Sequence, residues 1–240
     1  MADPNVGILA LEILPLSMRI TGSMPSEEQF IKQLTQILAL HEIFQFVLVS
    51  HSYGSVLTTH ILRSSLAPRV ASMVLIDPVT LLLHLGDVAY NFVYREPKTA
   101  NQWQLWYFAS RDIGVSHTLS RCFFWSANIL WKEDLEGRKV AVVLSGEDQI
   151  VNTREVWRYL TTDQRDGEPT EIWRDPKVWM TPTGIHSMVS RTDSFKGCLT
   201  VLWYPDLDHA HIFDTPERRQ ATINIITEDT TASGLLREIP

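Results

Sequence analysis

The stretch Phe46-Val47-Leu48-Val49-Ser50-His51-Ser52-Tyr53-Gly54-Ser55-Val56-Leu57 joins a continuous apolar run to a tight turn of small residues and then continues at helical spacing. Unbroken aliphatic residues over Val47–Val49 fit a strand covered on both faces. After Gly54 the apolar positions become Val56, Leu57, His60 and Ile61, which is the spacing of a helix. A reversal from strand to helix this sharp requires small flanking side chains, and Ser50 and Gly54 supply them. Ser52 then stands at the apex with its hydroxyl exposed, and the amide of Tyr53 is directed at whatever that hydroxyl attacks.

This is the pattern of a nucleophile elbow, usually written G-x-S-x-G, with Ser50 in place of the first glycine. By itself it also suits a polar connection in any protein of alternating strands and helices, so its meaning depends on which acids and histidines come later in the chain, and in which order. A serine hydroxyl is a weak nucleophile near neutral pH. It needs a histidine as base and an acid that fixes the histidine's tautomer.

Strand patterns recur at Val70–Ile76, ending in Asp77-Pro78, at Lys139–Ser145 and at Cys198–Tyr204; Val6–Leu14 reads as a further buried strand. Ser26 caps a helix with Gln29 as its reciprocal partner, and Phe30, Leu34, Ile37 and Leu38 keep one apolar face. Glu155–Leu160 is helical, and Thr215-Pro216-Glu217 opens a last helix with proline at its tolerated first position. From His84 to Asp134 aromatic residues crowd into a segment with no strand signal, read as a helical cap insertion. Thr161–Lys196, interrupted by Pro169, Pro176 and Pro182, reads as loop-rich. Strands alternating with helices imply an α/β fold with a mostly parallel sheet and helices on both faces. Sites in such sheets lie at the carboxyl ends of the strands. Ser52, Asp77, Asp148 and His209 all fall there.

A length of 240 residues with 45% hydrophobic content supports one domain with one core. The net charge of -7 and the lack of a basic run argue against a nucleic-acid surface. No apolar stretch reaches the length of a membrane span, since Glu12 and Pro15 break the N-terminal one, which also lacks the marks of a signal peptide. Cys122 and Cys198 fit no metal or redox spacing and read as buried thiols, pointing to a reducing, intracellular compartment.

For the acid, Asp148 in Ser145-Gly146-Glu147-Asp148-Gln149 is preferred to Asp77, whose following Pro78 suits a structural turn; an Asx turn is the plain alternative for Asp148. For the base, the loop Asp206-Leu207-Asp208-His209-Ala210-His211 offers His209 or His211. The same loop raises the thought of a metal site, but no third and fourth ligand are recognisable. No metal or cofactor is expected. His51 reads as structural, His186 as a loop residue, and His41, His60, His84 and His117 as isolated.

Segments Leu11–Ile20, Leu48–Ser55 and Val143–Val151 are similar to those of fungal members of the α/β-hydrolase fold family, and the resemblance covers nearly the whole chain. It implies Ser52 as nucleophile, Asp148 as acid and His209 as base, with Asp77 as the alternative acid and His211 as the alternative base. The Tyr53 amide would be one oxyanion donor. The family's second donor comes from a loop with no counterpart before Val6, so the chain reads as lacking N-terminal strands and the oxyanion loop, a truncated product or fragment. The implied activity is hydrolysis of an ester-like bond, carboxylic ester or lipid acyl, on an apolar small-molecule substrate under the aromatic cap. The aromatic residues of the cap also suit docking on a membrane, and the resemblance implies that an upstream hydrophobic segment would add membrane association. The alternative is a catalytically impaired binding protein of the same fold, or a fragment of a longer hydrolase.

Overall fold

A computed structural model describes residues 7–17, 22–161, 188–192 and 198–232. Five strands form one sheet: β1 (Phe46–His51), β2 (Val70–Ile76), β3 (Lys139–Ser145), β4 (Met188–Thr192) and β5 (Cys198–Tyr204), in the spatial order β1-β2-β3-β5-β4. β1, β2, β3 and β5 run parallel, and β4 pairs antiparallel with β5 at one edge. The register aligns His51 with Ile76, Ile76 with Val143, and Ser145 with Tyr204. The carboxyl ends of four strands therefore lie along one edge of the sheet.

Alternation along the strands splits the core in two. Met73, Leu75, Val140, Val142, Leu144, Leu199 and Val201 point to one side. They meet α1 (Glu27–Leu40) through Phe30, Leu34 and Leu38, α2 (Gly54–Leu62) through Val56, Leu57 and Ile61, and, beyond the insertion, α7 (Thr153–Thr161) through Val156 and Leu160. Val74, Ile76, Ala141, Val143, Leu202 and Tyr204 point to the other side, where Ile225 and Ile226 of α8 (Pro216–Ala232) pack. Both faces are covered, which is why β2 and β3 read as near-continuous apolar runs. The α1 start follows the sequence expectation: the Gln29 amide donates to Ser26 Oγ at 3.2 Å, and the Ser26 amide donates to Gln29 Oε1 at 3.0 Å.

Between β2 and β3 the chain runs through α3 (Asp87–Ala89), which continues as a π turn over Tyr90–Tyr94, then α4 (Ala100–Leu105), a second π turn over Trp106–Ser110, α5 (Ile113–Arg121) and α6 (Trp125–Asn128). This segment is fastened to α2: Arg63 donates to the carbonyls of Ala127 and Ile129 at 2.8 and 2.7 Å, and the His60 ring lies 2.9 Å from Asn128 Oδ1.

Three sequence expectations are corrected. The strand expected at Val6–Leu14 is absent: residues 7–13 carry no regular structure, Ile8 is 89% exposed, and Leu14–Leu16 is a 3₁₀ turn around buried Pro15. An apolar run can only be a strand if a sheet edge receives it, and β1 has β2 as its sole strand neighbour among the described residues. Cys122 and Cys198 are exposed free thiols rather than buried ones, because each sits at the end of an element where the chain turns to the surface. Finally, Met188–Thr192 within the expected loop-rich excursion is a strand, recruited by the free edge of β5; residues 162–187, including His186, and 193–197 lie outside the described residues.

Candidate active site

The turn after β1 is built as its small residues require. Ser52 has φ +51°, a left-handed conformation that costs a non-glycine residue roughly 1–2 kcal/mol, and it projects the side chain away from the sheet. Surrounding bonds hold it there. The Ser52 amide donates to Ile76 O at 2.9 Å, extending the β1–β2 ladder past the strand, and Ser55 Oγ donates to Ser52 O at 2.7 Å while accepting the Val79 amide at 3.2 Å. A Cβ on Gly54 would lie 3.2 Å from Ser50 Cβ, so a side chain at either position is confined by the other. Ser50 fits because it is small and because Thr58 Oγ1 donates to its hydroxyl at 3.0 Å, leaving no unpaired polar group in a buried place.

The structure brings Ser52, His209 and Asp148 together from three separate connections. His209 Nε2 lies 2.9 Å from Ser52 Oγ, and His209 Nδ1 lies 2.7 Å from Asp148 Oδ2. The Asp148 side chain is fully shielded and that of His209 is 9% exposed. Asp148 also forms the Asx turn that its sequence context suggested: Oδ1 accepts the amides of Ile150 at 2.7 Å and Val151 at 2.9 Å. One oxygen shapes the loop and the other faces the imidazole.

Of the remaining candidates, Asp77 is wholly buried at φ +43° and lies near the His209 ring, but its oxygens are bonded to other partners. Its Oδ1 accepts the Ser145 amide at 2.9 Å, and its Oδ2 accepts Ser145 Oγ at 3.1 Å and the Ala210 amide at 3.0 Å. It thus ties the end of β3 to the histidine loop. His211 lies in a 3₁₀ turn whose carbonyl accepts Arg218, and the ring bonded to Ser52 belongs to His209. Tyr53 is the N-cap of α2, so its amide makes no intrahelical bond. Its ring packs against Phe123 of the insertion at 6.1 Å between centroids.

One further residue, Asp208, escaped the sequence reading. Asp208 Oδ1 accepts the amides of Gln149 and His209 at 2.9 and 2.7 Å, and its Oδ2 accepts Gln149 Nε2 at 3.0 Å, clipping the histidine loop to the acid loop. An aspartate beside a candidate histidine was the available signal. His51 places its ring 5.2 Å from that of His209 and edge-on to Phe213 at 5.0 Å. The structural reading of His51 stands, and what the sequence lacked was the identity of the rings it packs against.

Electrostatics follow from burial and these partners. For His209, burial favours the neutral ring, but the Asp148 hydrogen bond and charge, with Asp77 and Asp208 behind, raise its pKa above the ordinary 6.5. For His51, burial and then the neighbouring His209 lower the pKa to about 4, so it is neutral at pH 7. Burial raises Asp77, and the donors from Ala210 and Ser145 act against that rise. Asp77, Asp148 and His209 offer ligand atoms within 4.8 Å of one another. A metal there would have to break the His209–Asp148 hydrogen bond and compete with the amide and hydroxyl donors that Asp77 already accepts.

No family model and no curated protein matches the chain. Among solved structures, a proline iminopeptidase from Mycobacterium smegmatis matches 87% of this chain and 73% of its own, at 10% identity and a TM-score of 0.50. The chain has the α/β-hydrolase fold. A meta-cleavage product hydrolase from Pseudomonas fluorescens matches 88% of the chain and 75% of its own at 16% identity, TM-score 0.48. A fungal esterase from Rhizomucor miehei matches 89% at 13% identity, TM-score 0.46, and this chain spans 61% of that esterase's length. On this fold, the positive-φ turn after β1 stands at the switch from strand to helix, where a side chain is presented outward above the sheet edge.

Proposed function

We propose that the protein is a serine hydrolase acting on an ester-like acyl bond, with Ser52 as nucleophile, His209 as general base and Asp148 as the acid that orients it. The observation that carries this reading is the pair of short contacts through His209, 2.9 Å to Ser52 Oγ and 2.7 Å to Asp148 Oδ2. In attack, His209 Nε2 takes the Ser52 proton as Oγ bonds to the acyl carbon. Asp148, accepting Nδ1–H, keeps the lone pair on Nε2 and steadies the imidazolium that forms. The Tyr53 amide stabilises the oxyanion, His209 returns the proton to the leaving group, and water releases the acyl group by the same steps. The insertion between β2 and β3 serves as the cap, its Phe123 against Tyr53 giving the site an apolar wall that suits an acyl or aryl substituent.

One observation favours a second reading, ligand binding without turnover. β1, which carries Ser52, has a strand on one side only among the described residues, so no neighbouring strand on its outer side brings a second oxyanion donor. A missing donor costs roughly two to three orders of magnitude in rate. Reaction with a fluorophosphonate probe, together with turnover of short p-nitrophenyl esters, decides between them. Labelling and turnover that vanish in Ser52→Ala support the hydrolase; a folded sample that neither labels nor turns over overturns it.

A further inference from the structure

We propose that Asp77 is a positioning residue for His209, holding the base through its backbone and placing a second carboxylate beside the imidazolium that forms in the reaction. The proposal rests on the hydrolase reading for the reaction it serves, while its geometry and its effect on the His209 ring do not depend on turnover.

The end of β2 anchors both partners of the proton transfer. The Ile76 carbonyl accepts the Ser52 amide at 2.9 Å, and the next side chain, that of Asp77, accepts the Ala210 amide at 3.0 Å, one residue after His209. Asp77 is itself fixed to the sheet. Its amide donates to Val143 O at 2.9 Å, and its carboxylate accepts the amide and the hydroxyl of Ser145 at 2.9 and 3.1 Å. Nucleophile and base are thus referred to consecutive residues at one strand end, and the histidine loop cannot shift without breaking a bond to a wholly buried carboxylate.

The bond to Ala210 works against a local preference. Ala210 has φ +66°, a left-handed conformation that its Cβ disfavours. Strain of this kind persists only where the surroundings over-determine it. The Asp77 bond supplies that constraint at the Ala210 amide. Without it the chain at Ala210 relaxes toward negative φ, which turns the neighbouring His209 and carries Nε2 away from its place 2.9 Å from Ser52 Oγ.

Charge is the second contribution. An Asp77 oxygen, an Asp148 oxygen and a His209 ring nitrogen lie within 4.8 Å of one another. Asp148 makes the hydrogen bond, and Asp77 acts through space in a buried site where water screens weakly. Burial and the Asp148 charge oppose ionisation of Asp77, whereas His209 and the donors from Ala210 and Ser145 favour it. An imidazolium forming beside it therefore draws Asp77 to its anionic form, and that anion in turn stabilises the imidazolium. The groups facing the ring are Asp148, Asp77 and Asp208, which raise its pKa, and His51, which is neutral at pH 7.

The test compares wild type, Asp77→Asn, and the double variant of Asp77→Asn with Ala210→Gly. Asparagine tolerates positive φ but has one acceptor oxygen and no charge. It pairs the most groups with that oxygen on the Ser145 amide and its NH₂ donating to Ser145 Oγ, which leaves the Ala210 amide without an acceptor. Glycine at 210 takes positive φ without strain, so it keeps the turn when the bond is gone. The readouts are kcat and KM for short p-nitrophenyl esters across pH, and titration of the His209 ring by NMR in the Ser52→Ala background, which needs no turnover. Expected for Asp77→Asn are a kcat lower by about tenfold to a hundredfold, an unchanged KM, and a lower inflection in both the rate profile and the ring titration. The double variant should recover most of the lost kcat and keep the lower inflection, which separates the bond from the charge. A wild-type kcat or an unmoved inflection in Asp77→Asn overturns the proposal, as does a kcat loss that Ala210→Gly leaves in place. Should Asp77→Asn alone fail to fold, the double variant carries the same pH readout; failure of both to fold makes Asp77 a support of the fold alone and also overturns the proposal. A lowered ring titration in a folded protein without turnover or fluorophosphonate labelling leaves the hold of Asp77 on His209 standing and removes the hydrolase reading.

Discussion

Asp148 performs two tasks with two oxygens, and substitution separates them. In Asp148→Asn the side-chain carbonyl must stay on the amides of Ile150 and Val151, because the NH₂ nitrogen of asparagine cannot accept from them. The NH₂ group then faces His209 Nδ1 and donates to it. That forces the tautomer with the proton on Nε2, the nitrogen 2.9 Å from Ser52 Oγ, which can no longer take the serine proton. The turn is kept and the base is lost. A rate loss of about 10³–10⁴ is expected in fluorophosphonate labelling and ester turnover, about 4–5.5 kcal/mol in barrier height. Asp148→Ala removes the acceptor from both amides as well, so it carries a further stability loss of about 1–3 kcal/mol relative to Asp148→Asn, read by urea unfolding.

The same pair fixes a pH signature. On the proposed hydrolase mechanism His209 works as base when neutral, and its pKa is raised above 6.5, so kcat/KM should rise with pH through an inflection above that value. Losing the carboxylate lowers the inflection in Asp148→Asn. Wild-type rates in Asp148→Asn, or equal stability of the two variants, would refute the division of labour between the oxygens.

Three other substitutions probe the surroundings. His51 is buried neutral with its pKa lowered to about 4, so the unfolded chain binds its proton first as pH falls; stability present above about pH 6.5 is lost on the way to pH 4, by about 2 kcal/mol at about pH 5. His51→Phe should remove that acid sensitivity, and unfolding curves with the same pH dependence in both proteins would contradict it. Ser55→Ala deprives the Val79 amide of its buried partner and the Ser52 carbonyl of one of its two donors, and should lower stability by about 1–3 kcal/mol, with slower probe labelling as the Ser52 turn loosens; an unchanged melt and labelling rate would count against the staple. Val49, 42% exposed on the strand at the sheet edge, is the place to test edge pairing: Val49→Lys should raise the soluble fraction on concentration, measured by light scattering, and no change would show that this edge does not self-associate.

Much of this was legible from local pattern. β2, β3 and β5 occupy the residues their apolar runs predicted, because a strand covered on both faces is mostly apolar along its length. The α1 capping box was equally local, a serine and a glutamine three residues apart. Val6–Leu14 shows the limit: hydrophobicity states that a segment suits a strand, whereas pairing depends on an edge elsewhere in the chain. β4 is the converse, a strand whose partner drew it out of an otherwise loop-like stretch.

For the site, the sequence by itself determined the elbow, because small residues around Ser52 are a steric necessity of the turn. It also determined that Asp148 and His209 come after later strands in an order that permits a shared edge. Only the tertiary structure decided between neighbours of equal chemistry. Asp77 and Asp148 both end strands, and His209 and His211 share a loop, but the parallel register and the left-handed Ala210 turn direct one of each toward Ser52 and commit Asp77 to Ser145 and Ala210. Side-chain direction across 61 and 157 residues of intervening chain is set by packing of the sheet, a non-local quantity that no spacing rule contains.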